Sequence, residues 1–507
     1  QGRSACAAVA SVVGAVLAAE TPRGRRGVAR GPRFCGPAAY TGAYLEAGGP
    51  PNGKIGLAAA MRPLAVWATI KGWAARRPPT SAIESSPPTV DAVDASIYGA
   101  GLLRMRAACR FGHLGVARWL AARFAVTAAD IRALDNEALR AACFGGHLAV
   151  AQWLATAFGL GPADARSDDN GALRSACRGG HLAVAQWLAA TFGLTAADAR
   201  TDDNAALRHA CTNGHLETAQ WLAATFGLGP ADARAYHNTA LGDACRNGHL
   251  AVAQWLAAAF GLGPADARAY HNTALRGACV NGHLAVAQWL AATFGLGPAD
   301  ARSNDNEALR LACAGGYLEV AAWLVDHFGL GPADARSNDN FALRFACGYG
   351  RLEVAAWLAA TFALTAADAR ACDNDALRFA CMHRHCGIMQ WLAAAFGLGP
   401  ADARACGNDA LRFACMKGHL DVAVVLATTF GLGPADARAC DNEALRLACR
   451  GGHLNIVRWL TGRFGLGPAD VRARNNEALR HAYRFDHFEV AAWLAGRFGL
   501  GPPTPAR

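Results

Sequence analysis

Four residues in one short stretch carry side chains that could hold a soft metal: Cys381, His383, His385 and Cys386. Thiolate sulfur and imidazole nitrogen are ordinary zinc ligands, and a structural ion needs about four of them converging. Cys381, however, belongs to a column repeated along the chain, and Cys386 stands where neighbouring segments carry a core leucine. Packing with both sulfurs turned inward is therefore the favoured reading, without a metal. Two arginine columns, Arg140, Arg174, Arg208 and Arg166, Arg200, Arg234, could track phosphates. Each runs close to aspartates such as Asp164, Asp198 and Asp232, so ion pairing within the fold is expected instead. Sixteen histidines could serve as general acids or bases only beside an oriented partner, and most occupy a single Gly-His position. No G-x-S-x-G or phosphate-loop pattern occurs. The expectation is a chain with no catalytic residue, no cofactor and no metal.

These residues are positioned by a repeat. Asparagines stand 34 residues apart from Asn136 to Asn476 without a slip, and cysteines do the same from Cys109 to Cys449, with Tyr483 in the next place. A tryptophan column runs from Trp119 to Trp493 and is broken at Val425. Twelve units fill residues 104–500. In one of them Leu275, Ala278 and Cys279 share a helical face behind Asn272, read as an N-cap. Gly282 ends that helix. A second helix from His283 buries Leu284, Ala287, Leu290 and Ala291 and stops at Gly295. The following Gly297-Pro298, replaced elsewhere by Thr127, Thr195 or Thr365 with aspartate three residues later, predicts a third, short helix.

No unit can bury its apolar face alone, so the units must stack. The wording A-L-R-x-A-C-x-x-G-H-L-x-V-A-x-W-L, as in Gly146, His147, Leu148 and Val150, resembles the ankyrin repeat. It departs from that family where a Thr-Pro pair is replaced by x-Ala and where the hairpin segment is replaced by F-G-L-G-P-A-D-A-R; the wording is most similar to divergent arrays of protists, algae and giant DNA viruses. A tetratricopeptide array shares the period, but its W-x-x-L-G-x-x-Y opening is absent. The resemblance implies an all-α, elongated solenoid. Stacked helices lie about 8–10 Å apart, too far for disulfides between equivalent cysteines, and Cys372, Cys406 and Cys440 form a second such column. Reduced thiols fit an intracellular, cytoplasmic or nuclear setting. The tryptophan column reads as core packing.

Of the 507 residues, 53% are hydrophobic and 17% charged, which excludes a wholly disordered chain. The net charge of +10 is concentrated: residues 1–77 carry +9, residues 78–103 carry −3 and residues 104–507 only +4. A near-neutral array argues against nucleic acid as the partner. Residues 1–103 read as a poorly ordered, basic Ala/Gly/Pro/Arg-rich leader and linker, and residues 501–507 as a Pro-rich tail. The uncharged stretch from Ala5 to Ala19 is too short for a membrane span, and organelle or secretory targeting is the alternative reading of the leader.

The function expected is a monomeric, non-enzymatic scaffold that binds a partner protein. The alternative is the substrate-recognition subunit of a larger enzyme complex, such as a ubiquitin ligase. Positions that vary between near-identical units are the ones able to specify a partner. They are Tyr236-His237 and Tyr270-His271 in the turn before the asparagine, Phe144, Arg178, Arg246, Tyr349 and Lys417 after the cysteine, and Phe341, in an aromatic run with Phe345 and Tyr349. Phe345, Phe379 and Phe413 are assigned mainly to packing.

Overall fold

The computed structural model describes residues 95–500, with side chains from residue 101 onward. Residues 1–94 of the leader, its targeting reading and the 501–507 tail lie outside the described residues. Between Ala95 and Phe498 helix follows helix, and no strand occurs among the described residues. The chain divides into two compact units, one ending at Asp202 and one starting at Asp203. Both are stacks of one helical repeat. The first described helix starts at Ala95, ahead of residue 104.

One repeat of the second unit shows the rule. The first helix ends near Val280, Gly282 turns the chain at φ +77°, and Leu284–Phe294 runs back as the second helix. Gly295 stops it at φ +58°, a left-handed conformation that costs glycine little. Leu275, Ala278, Cys279, Val286, Ala287 and Leu290 are buried. First helices pack on first helices of the neighbouring repeat, and second helices on second helices. Each buried leucine of the template contributes roughly 1.5–3 kcal/mol relative to exposure.

The expected short helix is present at Pro298–Ala301 and its counterparts. Its aspartate closes the start: Asp300 Oδ2 accepts the Gly297 N–H at 2.8 Å. In the threonine version, Asp198 Oδ2 accepts both the backbone N–H and the hydroxyl of Thr195, at 2.8 and 2.9 Å. Two different residues thus serve one slot because the aspartate supplies the bond common to both.

The asparagine column does not cap the first helix. In the repeat containing Asn272, Tyr270, His271 and Asn272 all lie in the left-handed region, at φ 50°, 58° and 57°, and the same triplet recurs along the array. A cap residue is extended, with its side-chain oxygen over the first helical N–H groups. Here Oδ1 has no hydrogen-bond partner in any of the eleven asparagines from Asn136 to Asn476. Instead the amide turns toward the next repeat, where Asn136 Nδ2 donates to Ser167 Oγ at 3.1 Å and Asn238 Nδ2 to Asp266 Oδ1 at 3.3 Å. Asparagine is suited to this place because it tolerates left-handed backbone better than other side chains.

The cysteine column is buried from Cys109 to Cys449. Burial pushes the Cys109 thiol up to about 12 and those of Cys143, Cys211 and Cys279 higher still, so these thiols behave as small apolar groups. The tryptophans are less enclosed than core packing requires. Most are half-buried, and those from Trp153 to Trp493 lie edge-to-face on the phenylalanine five residues later, as in Trp289 and Phe294 with ring centroids 5.6 Å apart. An indole needs apolar cover and an outlet for its N–H, which a partly exposed helix side gives it.

Candidate functional site

The polar columns are largely committed to holding repeats together. Arg234 Nε and Nη2 fork onto Asp266 Oδ1 and Oδ2 at 2.7 and 2.9 Å, and Arg268 does the same to Asp300 at 2.8 and 3.0 Å. In the first unit Arg166 forks onto Asp198. The Arg234 guanidinium holds the Asp266 carboxyl below the usual carboxylate range, against the opposing effect of burial. The other arginine column folds back on the left-handed turn: Arg344 Nη2 donates to the Asn338 carbonyl at 3.2 Å, and Arg446 Nη2 to that of Cys440 at 2.9 Å. These bonds satisfy carbonyls that the turn removes from the helix ladder. The Nη1 donors reach acids of the next repeat, Arg344 to Asp375 and Arg446 to Glu477, each at 2.7 Å. The ion pairing expected of both columns is what the fold contains.

The Gly-His column is also structural. His181 Nε2–H donates to the Phe144 carbonyl at 2.9 Å and His453 Nε2–H to that of Met416 at 3.0 Å, each bridging two repeats. The ring lies against the left-handed glycine of the previous repeat, so closely that a methyl on Gly146 would meet the His181 ring at 2.3 Å. Burial holds His249 and His283 below the ordinary histidine range.

What remains is the set of variable positions, and these gather into groups. In the first unit, half-buried Phe144 sits between two guanidiniums, Arg110 at 5.0 Å and Arg178 at 5.8 Å from the ring centroid. In the second unit, Tyr236 and Tyr270 are 58% and 66% exposed. The Arg208 guanidinium lies 5.0 Å from the Tyr236 ring, and His237 stacks on Tyr270 with centroids 5.7 Å apart. His271 is exposed at the end of this row, and the Arg246 stem lies over Gly277. Tyrosine and histidine here occupy left-handed places where most other repeats carry aspartate or asparagine and some carry cysteine, leucine, glycine or arginine.

A second group lies farther along the same unit. Phe341 stacks on Phe345 at 3.8 Å, Phe345 meets Phe379 edge-on at 5.7 Å, and Tyr349 lies 5.9 Å from Phe345 and 6.4 Å from His383. The Arg310 guanidinium covers Phe341 at 4.7 Å. Tyr349 is 45% exposed, and Lys417 is exposed and near enough to His383 to help lower its proton affinity, after the larger effect of burial.

The Cys/His stretch is arranged differently from the expectation. Cys381 is buried in its column, but Cys386 is not turned into the core. It is half-buried and its Sγ–H donates to Asp421 Oδ2 at 3.7 Å, where Arg384 also pairs with Asp421 at 2.9 Å. An open cleft of about 670 Å³ is formed there by Arg384, Cys386, Leu420, Asp421 and Val424. Valine in the tryptophan place, Val425, helps leave this space. Among the described residues, no cluster of three or more Cys, His, Asp or Glu side chains could hold a metal ion.

Three features escaped sequence reasoning. The left-handed triplet was hidden because asparagine signals both caps and left-handed turns. The cation-flanked Phe485, with Arg450 at 5.3 Å and Arg484 at 5.8 Å, was legible as aromatic and basic residues in the variable places after the cysteine. Phe379 was read as packing, yet it joins the aromatic group.

A family model for ankyrin repeats in three copies matches residues 139–229, 190–266 and 275–368. A solved structure of an ankyrin repeat family protein from Legionella pneumophila is 18% identical, covering 59% of this chain and 82% of that one with a TM-score of 0.21. No curated protein matches the chain. Among the described residues no helix is long and apolar enough to cross a membrane.

Proposed function

Because this chain belongs to the ankyrin repeat family, whose repeats generally mediate protein–protein interaction, we propose that it is a non-enzymatic scaffold that captures a partner protein inside the cell. The observation that carries this reading is the contrast between fixed and free positions. Arginine, aspartate, glycine and histidine columns are spent on joining repeats, whereas Tyr236 and Tyr270 stand 58% and 66% exposed in places that their own packing does not require. Exposed tyrosine and arginine are typical interface anchors. The contact residues proposed are Tyr236, His237, Tyr270, His271, Phe341 and Tyr349, with Phe144, Arg178, Arg246 and Lys417 completing the set.

The test compares two double variants, Phe341→Ser with Tyr349→Ser and Tyr236→Ser with Tyr270→Ser. Partner capture is read by affinity purification and mass spectrometry, and the thermal midpoint is measured in parallel. Loss of specific partners at an unchanged midpoint supports the assignment. Unchanged capture by both variants overturns it.

A further inference from the structure

The first helices of the second unit carry a column whose character changes partway. In the place after the arginine column, where one repeat has Gly242, stand His209, Asp243 and Gly277, and then Leu311, Phe345, Phe379, Phe413 and Leu447 in five successive repeats. Stacking does not demand apolar residues there, because the preceding repeats keep the same fold with histidine, aspartate and glycine. On the helix of Phe345 the packing side is Leu343, Ala346 and Cys347, all fully buried, while Phe345 is only half-buried. The apolar strip therefore needs another reason.

Its borders differ in charge. At the start of these helices, Asp375, Asp409, Glu443 and Glu477 are paired with arginines of the preceding repeat at 2.7 to 3.1 Å. At the other end stand Lys417, Arg450 and Arg484, all exposed and without a salt bridge among the described residues. Arg450 and Arg484 lie against the ring of Phe485. The strip thus has one neutralised border and, beside Phe413 and Leu447 and in the repeat beyond them, one positive border.

Building on the scaffold reading, we propose that the strip from Leu311 to Leu447 binds a protein segment with recurrent apolar side chains and acidic residues along the flank that meets Lys417, Arg450 and Arg484. Apolar contact supplies most of the binding, and the basic border sets the register and direction of the segment. Bases stacked on the phenylalanines would be the nucleic-acid counterpart. Only the three middle repeats offer a ring on which a base could stack, while the leucines at both ends of the strip offer apolar contact alone, so a peptide fits better.

The experiment selects random displayed peptides on the full chain, on a Phe345→Ser, Phe379→Ser variant and on an Arg450→Glu, Arg484→Glu variant, and measures binding of a labelled oligouridine to each. Serine is tolerated in this column, as Ser175 shows, and circular dichroism confirms folding of each variant. The wild type should enrich apolar sequences with acidic flanks. The phenylalanine variant should bind the enriched peptides about ten-fold more weakly or worse, as expected for loss of anchor residues. The charge-reversal variant should shift enrichment toward basic flanks. Enrichment of acidic apolar peptides that survives in both variants overturns this site but leaves the scaffold reading standing, and enrichment of nothing overturns both. Oligouridine binding that is lost in the phenylalanine variant, with no peptide enriched, assigns the strip to nucleic acid.

Discussion

Arg336 Nε and Nη2 hold the two carboxylate oxygens of Asp368, in the next repeat, at 2.7 and 2.9 Å. The same carboxylate accepts the Thr365 N–H and hydroxyl at 2.8 and 3.0 Å. One aspartate therefore starts the short helix of its own repeat and fastens it to the one before. Hydrogen bonds of this charge-assisted kind are stronger than neutral ones, and their regular recurrence makes the repeat-to-repeat interface specific.

Acid should weaken this fastening. The Arg336 guanidinium leads the effects that hold the Asp368 carboxyl down to about 2, so the unfolded chain takes up the proton first as pH falls. The stabilisation is full above the ordinary carboxylate range, declines as pH drops through about 4 and is lost near the folded value. Asp368→Ala should cost about 2 kcal/mol at neutral pH. Urea midpoints of wild type and variant should draw together as pH falls from about 4 and meet only near the folded value of about 2; a constant difference would show that the carboxylate's charge is not the cause.

Glycine in the Gly-His turn should be far less replaceable than glycine at the end of the second helix. Gly248 lies at φ +79°, and an added methyl would meet the His283 ring at 2.6 Å. Gly295 lies at φ +58° with nothing near its missing side chain, and alanine is found in the equivalent place at Ala363, φ 47°. Gly248→Ala should cost about 2–4 kcal/mol and Gly295→Ala about 1 kcal/mol. Equal losses in chemical denaturation would refute the role assigned to the histidine ring.

The same ring gives a second pH dependence. Burial lowers the proton affinity of His283, so the unfolded chain protonates first and stability falls as pH drops below about 6.5. His283→Tyr, after Tyr317 in the next repeat, should reduce that slope in thermal scans between neutral and mildly acidic pH. A slope unchanged by the substitution would place the effect elsewhere.

Left-handed tyrosines should be suboptimal for folding. Tyr236 and Tyr270 sit at φ 51° and 50°, where the repeats around them use Asp202 and Asn304. Tyr236→Asn with Tyr270→Asn should raise stability by roughly 0.5–1 kcal/mol per site, because asparagine accepts this backbone more readily. If partner capture falls while the thermal midpoint rises, these side chains serve binding. A lowered midpoint would mean that the stack of His237 on Tyr270 contributes more to folding than the backbone costs.

Most of the architecture was legible because the period multiplies each weak signal. Leu275, Ala278 and Cys279 define one buried face, and the alternation of Gly297-Pro298 with Thr195 or Thr365 announced the short helix. Asn272 was misassigned for a physical reason: its preference for caps and its tolerance of left-handed backbone coincide, and only the backbone angles separate them. Trp289 illustrates a related ambiguity, since a large apolar residue on a helical stripe can lie at the margin of the core. At the surface, Tyr349 stood out by departing from the template, whereas Phe379 was concealed by agreeing with its neighbours Phe345 and Phe413. Cys386 was misplaced because a residue in a leucine column need not follow the leucine when its neighbours Arg384 and Asp421 offer a polar alternative.

Thiol labelling should separate the two cysteine columns. Cys372, Cys406 and Cys440 are exposed in left-handed turns, Cys386 is half-buried and the column from Cys109 to Cys449 is buried. Reaction requires both access and thiolate. Burial denies the column access and pushes its thiols far above the ordinary range, as at Cys279, while the Cys386 thiol is also raised, first by partial burial and then by Asp421. A maleimide applied to the native protein, with sites mapped by mass spectrometry, should therefore label Cys406 and Cys440 first, and more slowly Cys386 and Cys372, whose thiol partial burial also raises. The column should follow only on unfolding, so its labelling rate should track urea concentration through the unfolding transition. Rapid native labelling of Cys279 would mean that the stack opens locally. Modification of Cys386 ahead of Cys406 would mean that the cleft beside Asp421 raises nucleophilicity rather than suppressing it.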